Sequence, residues 1–386
     1  MSTTNTQHYD VIIAGARCAG AATALLLARQ GARVLVLDKS RYGTDTLSTH
    51  ALMRGAVLQL RRWGLLPAVA GAGTPPVRST TFHLADAVTT IPVKPKHGVQ
   101  ALYAPRRRVL DAILADAARS AGADVRFGAS VSDLRRDRAG RVTGITGRAA
   151  LIEPFGQSGR GLGQDAPPGR VGAEVGFVPQ PFGVGGGEDA GLPVVGGDDS
   201  GRGPVPEIPV EVIGRVVTDV PVDKDARGRR DVDGPGADAA WRRILGRAAP
   251  GLAERLDQRG PAGPPRVFPG LTGYLREAAG PGWALVGDAG YFKDPITAHG
   301  ITDALRDAEI LARAVVAGGP DAVGRYQAER DELSLRLFRV TGRIASFDWT
   351  AEEIGDHLLE LGEAMAEEAA AMNAGDPGRR LELASA

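Results

Sequence analysis

The sequence predicts an α/β fold organised around a dinucleotide-binding β-α-β unit, and three observations predict it. A β-branched strand, a glycine turn, an Ala/Leu-rich helix and a second strand ending in an acid follow one another from Tyr9 to Asp38. A distant segment, Trp283 to Leu305, runs strand, turn and helix with Asp288 in the turn. The chain has 386 residues, room for two domains or for one nucleotide domain with a large insertion.

Bulk properties narrow the function. The formal net charge is zero, which gives no general pull toward nucleic acid or an anionic membrane. Cys18 is the single cysteine, which excludes an internal disulfide and a cysteine-rich metal site. Met1 to Asp10 is polar and shows no basic-then-apolar leader. No apolar run reaches the roughly 18 residues of a membrane helix, so a soluble cytoplasmic protein without stable membrane association is expected. Arginine far outnumbers lysine, and Ala, Gly and Pro abound, which reads as the coding bias of a GC-rich bacterial genome.

Tyr9 to Ala14 is a short buried strand by composition. Gly15 permits the tight turn after it, and Gly20 lets the following helix pack close to the sheet. Ala21 to Gln30 is the helix, ended by Gly31. Arg33 to Leu37 is the second strand. Asp38 stands about 18 positions beyond Gly20, near the spacing at which an acid accepts hydrogen bonds from an adenosine ribose. The middle glycine of the usual G-x-G-x-x-G is replaced by Arg17, which blocks the closest backbone approach to a pyrophosphate but adds charge there.

Ala104 to Asp111 opens an amphipathic helix with Leu110, Ile113, Leu114 and Ala117 on one face. Its Arg106-Arg107-Arg108 start opposes the helix dipole. Ala123–Phe127, Ser130–Leu134 and Arg141–Ile145 read as strands, with a turn at Asp137 to Gly140. In the late segment, Ala284 to Val286 is a strand running into Gly287-Asp288, a loop with Pro295 follows, and Gly300 opens a helix. A carboxylate beside a helix N-terminus suits a cofactor with a phosphate and a polyol chain.

These stretches resemble FAD-dependent oxidoreductases, namely the single-component flavoprotein monooxygenases and the geranylgeranyl-reductase-like flavoproteins. The Gly287-Asp288 segment carries the likeness. So do Arg107 to Asp111, read as R-x-x-L-D, and G-A-R-C-A-G at Gly15 to Gly20 followed by D-T-L-S-T-H at Asp45 to His50. It covers roughly Tyr9 to Leu151 and Trp241 to Glu368. It implies a glutathione-reductase-like FAD-binding Rossmann domain with a smaller β-rich substrate domain. The implied cofactor residues are Gly15, Arg17, Ala19, Gly20, Asp38, Lys39, Arg107, Asp288, Pro295, Gly300 and Ile301. Asp288 would hold the ribityl chain, and the helix start at Gly300-Ile301 would face the flavin pyrimidine edge. FAD is the implied tightly held cofactor, and NAD(P)H a transient co-substrate.

The implied organisation is an FAD-binding part at 1–152, a substrate-domain region at 153–270, a second FAD-binding part at 271–345, and a C-terminal helix and tail at 346–386. The middle departs from the family. About a third of Gly156 to Gly203 is glycine, the signature of low complexity or disorder. Only Val205 to Val222 has the β-branched content for strands. Gly161-Gly163-Ala166 and Gly185-Gly187-Ala190 match G-x-G-x-x-A but neither follows a strand nor opens a helix. Gly156 to Gly236 is read as frame-disturbed, with a disordered insertion or a divergent substrate domain as the alternatives.

In the last third, Val323–Phe338 and Ala351–Ala371 are helical by period. Thr350 and Glu353 form a capping box. Ile354, Leu358, Leu361 and Met365 make one stripe, read as packing on the flavin domain, with a homodimer contact as the alternative. His50 and His299 are read as structural histidines, with acid–base work the alternative. Cys18 is read as packing rather than as an activated thiolate.

The resemblance implies an enzyme in which NAD(P)H reduces the flavin and molecular oxygen adds to give a flavin hydroperoxide. That species then hydroxylates a small organic substrate, often aromatic. No protein acid or base is required, so no catalytic residue and no metal ligand is assigned. A flavin-dependent reductase of isoprenoid double bonds is the first alternative, and a catalytically defective relative the second. The W-x-W-x-I-P motif of flavin halogenases is absent.

Overall fold

Val11, Ile12 and Ile13 are each at most 3% exposed, as expected of a β-branched strand covered on both faces. They lie in a parallel sheet with the spatial order Glu174–Val175, Val11–Ala14, Val34–Asp38, Asp124–Phe127. The computed structural model describes residues 9–84, 87–149, 174–175, 214–216, 242–243, 246, 250–259, 273–319 and 321–374.

The described helices are α1 (Cys18–Arg29), α2 (Arg54–Arg62), α3 (Leu66–Gly71), α4 (Arg107–Ser120), α5 (Pro250–Arg259), α6 (Gly300–Ala317), α7 (Ala322–Ser346) and α8 (Ala351–Ala374). Helix α1 is apolar around nearly its whole circumference and is accordingly buried. It packs between the sheet and α6, and Leu25, Leu27 and Ala24 share one core with Ile301, Leu305 and Ala308. Helix α4 covers another part of α1 with Leu110 and Leu114, both fully buried.

Peripheral strands complete the described fold. Ala129–Arg136 and Val142–Ala149 form an antiparallel hairpin. Its turn is tied by Asp137, whose carboxylate accepts from the amides of Ala139 and Arg141 at 2.9 and 3.0 Å. Ser79–Leu84 pairs antiparallel with Ala87–Pro92 and parallel with Gly214–Val216. The last strand lies inside the Val205 to Val222 stretch that the β-branched pattern singled out.

Two expectations are corrected. Ala284 to Val286 is not a strand over its whole length. Only Trp283–Ala284 is a strand, and it pairs antiparallel with Ala279–Gly280. Beyond it, the backbone groups are taken elsewhere: Leu285 N–H donates to Ala278 O at 2.7 Å, and Leu285 O accepts from the Tyr326 hydroxyl at 2.6 Å. Gly287 N–H donates to the Asp307 carboxylate at 3.2 Å. On the side away from Val34–Asp38, Val11–Ala14 pairs with Glu174–Val175, inside the glycine-rich stretch whose composition predicts no strand. A strand edge offers backbone donors and acceptors that pair without regard to side chain. Otherwise the readings made for 156–236 lie almost wholly outside the described residues.

The C-terminal helices follow their periodicity and run longer than expected. Ile354, Leu358 and Leu361 pack on Val340, Ile344 and Trp349. The capping box forms as spaced: Thr350 N–H donates to Glu353 at 2.7 Å, and Glu353 N–H to the Thr350 hydroxyl at 3.2 Å. Opposite the stripe, Glu363 and Glu367 pair with Arg336 on α7.

Candidate cofactor-binding site

The turn after the first strand is shaped by missing side chains. Gly15 sits at φ 108°, a conformation that glycine adopts without strain. A Cβ on Gly20 would lie 1.9 Å from Gly15 O, so α1 rests directly on the turn. Among the described residues no side chain caps α1, and its first turn carries no acid. Its leading N–H groups therefore keep no side-chain cap among the described residues, the arrangement that accepts a phosphate.

Arg17, at the N-cap position, is committed to the protein. Its Nη1 donates to Thr44 O at 2.7 Å and to Asp111 at 2.9 Å, and its Nη2 to the Thr44 hydroxyl at 3.0 Å. Asp111 also accepts from Arg107 Nε at 3.1 Å and from the Cys18 thiol at 3.1 Å. One buried carboxylate thus gathers Arg17, Cys18 and Arg107 from two helices. Arg107 is mostly buried and its charge is met by Asp111, whereas Arg106, largely exposed, pairs with Asp45. Cys18 is buried, and that burial pushes its thiol well above the ordinary value, which excludes the activated-thiolate alternative.

Asp38 ends its strand as expected, but it is buried and already engaged. It accepts from Ala16 N–H at 2.7 Å and from Ser40 N–H and hydroxyl at 2.7 and 2.5 Å. It therefore stitches the glycine turn to the second strand. Lys39 beside it is exposed, and Ala19 is buried beneath the Gly287 turn, where a Cβ on Gly287 would come within 3.1 Å of the Ala19 Cβ.

Asp288 presents a different picture. Among the described residues no hydrogen bond reaches its carboxylate, although the residue as a whole is exposed. It points toward the start of α6: a Cβ on Gly300 would lie 3.8 Å from its Oδ1. Helix α6 likewise begins without a side-chain cap, with Gly300 exposed and Ile301 buried. The dense protein wall around Asp288 and the nearby Asp303 carboxylate push its pKa up to about 6, against the opposing pull of Arg107 and Lys293. Pro295 opens a short 3-10 turn, Pro295–Thr297, whose Ile296 N–H donates to Asp294 at 2.9 Å.

Asp288, Arg107 and the α6 start are thus brought together, and Arg17 joins Arg107 through Asp111. Asp38 and Lys39 stand apart at the end of the second strand. The sequence assigned no role to Asp111, although its i,i+4 spacing from Arg107 signals an ion pair. It also missed the buried group that Asp303, Arg306 and Asp307 of α6 form with Lys293 and Glu368. His299 lies in that group and faces Glu368, as a structural histidine would. His50 has a buried Nδ1 without a partner among the described residues, and φ 61°. Burial, helped by Arg106, lowers its pKa and favours the neutral ring.

Residues 8–150 match a family described as an FAD binding domain. The menaquinone reductase of Mycolicibacterium smegmatis is 26% identical over 363 residues, covering 87% of this chain and 83% of its own. Among solved structures, the flavin-dependent brominase Bmp2 matches with TM-score 0.63 at 18% identity, covering 96% of this chain and 94% of its own. PqsL, a probable FAD-dependent monooxygenase from Pseudomonas aeruginosa, matches with TM-score 0.62 at 19% identity, covering 93% and 100%. The expected FAD-binding Rossmann-type fold with mixed α/β content is thereby borne out.

Proposed function

We propose, from the match of residues 8–150 to an FAD binding domain, that this chain is a flavoprotein oxidoreductase and, more specifically, an NAD(P)H-dependent monooxygenase acting on a small organic substrate. When bound, FAD supplies the two-electron chemistry and the reaction with oxygen. The chain's own residues hold and orient it. The uncapped start of α1, tight against the turn because Gly20 has no Cβ, receives the pyrophosphate. Asp288 accepts a hydrogen bond from a cofactor hydroxyl, and the uncapped start of α6 stabilises negative charge on the flavin ring. Arg107 supplies a fixed positive charge nearby. Arg17 acts indirectly, by fixing the 41–50 loop and α4 around the turn. Asp38 keeps the adenosine end of the site in shape.

The single observation that carries this reading is the Asp288 carboxylate. It belongs to an exposed residue, is unpartnered among the described residues, and is aimed at an uncapped helix start. A carboxylate with no protein partner beside helix N–H groups with no cap fits a ligand that donates to one and accepts from the other. Residues 153–270 are proposed as the substrate region between the two FAD-binding parts.

A second reading, a flavin-dependent reductase of an isoprenoid double bond, is favoured by the 26% identity to a menaquinone reductase across most of both chains. Oxygen separates the two. The monooxygenase consumes one O2 per NAD(P)H and transfers one labelled oxygen atom to its product. The reductase oxidises its reduced flavin anaerobically, with loss of one substrate double bond. A purified, reconstituted protein that holds no flavin would refute both.

A further inference from the structure

We infer that Glu368, on the last helix, is a positioning residue for the cofactor site, acting through His299 and Arg306 on the two backbone segments that face the flavin. The inference rests on the FAD reading above. His299 occupies the N-cap position of α6 but does not cap it; its ring turns inward and its Nε2 meets Glu368. The same carboxylate accepts from Arg306 Nη1. Arg306 Nη1 also reaches Asp303 at 3.0 Å, and its Nη2 reaches Asp307 and the Ser334 hydroxyl, both at 2.8 Å. Asp307 in turn accepts from Gly287 N–H, immediately before Asp288.

Two routes therefore leave Glu368. One passes through His299 to Gly300 at the start of α6. The other passes through Arg306 and Asp307 to the Gly287-Asp288 turn. They end on the two groups assigned to the flavin, and both begin on a helix more than sixty residues further along the chain. His299, Arg306 and Glu368 are 2%, 1% and 3% exposed. Burial alone would raise the Glu368 carboxyl, but His299 and Arg306 overrule it and hold it below the ordinary carboxylate range.

A buried ion network adds little net stability over a well-packed apolar core, so its presence calls for another role, and fixing one geometry is the attested one. His299, Asp303 and Glu368 also lie within 4.8 Å of one another, close enough for a metal ion. Lys293 and Arg306 already occupy those carboxylates, so the group is filled by the protein's own cations.

The test uses the full chain with Glu368→Ala, His299→Ala, the double variant, and Ile354→Ala. Ile354 is fully buried on the same helix but outside the network, so it controls for loosened packing. FAD affinity is measured by titrating the flavin-free protein, and hydrogen exchange is followed in the 285–305 segment without cofactor. Glu368→Ala should raise the FAD Kd about tenfold or more and speed exchange across that segment by a similar factor. Ile354→Ala should lower Tm while leaving both readouts near the parent. The double variant should be no worse than Glu368→Ala, because that change already breaks the route through His299. Should Glu368→Ala fail to fold, Glu368→Gln keeps the size, removes the charge and should shift both readouts about threefold. Exchange and affinity in the Glu368 variant equal to those of Ile354→Ala at the same loss of Tm would overturn the inference, as would fully multiplicative effects in the double variant. A parent chain that binds no FAD refutes the cofactor reading; unchanged exchange in Glu368→Ala refutes the positioning role alone.

Discussion

Replacing Asp288 is the sharpest perturbation of the site. In the flavin-free protein its pKa stands at about 6, raised by its protein surroundings and by Asp303. At pH 5 only about a tenth of it is ionised, and at pH 7 about nine-tenths. A hydroxyl that donates to the carboxylate stabilises the charged form and lowers its pKa on binding. FAD binding therefore releases a proton below pH about 6, and affinity should rise as pH climbs through that value and level off above it. The opposite sign applies to the flavin-free fold: a raised carboxyl pKa contributes stability below about pH 4 that is lost as pH rises through about 6. A hydrogen bond to a charged group is worth about 1.5–3 kcal/mol. Asp288→Ala should therefore weaken FAD at pH 7.5 by about tenfold at the low end and by about a hundredfold at the high end. Asp288→Asn, which cannot titrate, should flatten the pH dependence between 5 and 7.5. Fluorescence titration of FAD into the flavin-free protein across that range is the assay. A parent Kd independent of pH, or an Asp288→Ala Kd equal to the parent's, would refute the reasoning.

Other outcomes can be stated more briefly. Asp38→Ala should strip partners from the Ala16 and Ser40 amides and lower stability by about 2–4 kcal/mol, read by urea denaturation; a loss of FAD affinity with unchanged stability would contradict the stitching role. Gly20→Ala places a Cβ 1.9 Å from Gly15 O, so α1 must move, and FAD binding should be lost with a marked fall in Tm; parent-like FAD affinity would contradict the close approach. Cys18, buried and donating to Asp111, should resist iodoacetamide at pH 8 in the native protein and react once unfolded; rapid native alkylation would show an accessible thiolate.

Local order was legible in the sequence wherever a short-range rule decides it. The Tyr9 to Asp38 unit, the helix after Pro105, the Asp137 turn and the Thr350–Glu353 box each follow from composition, period or fixed spacing within a few residues. The position of Asp288 before an uncapped helix belongs to the same class, because turn and helix start are neighbours in sequence. Tertiary structure alone decided which charges meet. Arg17 and Asp111 are separated by 94 positions, and Glu368 and Arg306 by 62. Helix periodicity assigns an acid such as Glu368 to solvent, because burying a charge is costly unless a partner waits for it. That partner is a property of the packed fold. The same holds for the strand beside Val11–Ala14: backbone pairing at a sheet edge carries no side-chain signature, so the neighbour was settled by what the fold brought there, not by any residue type.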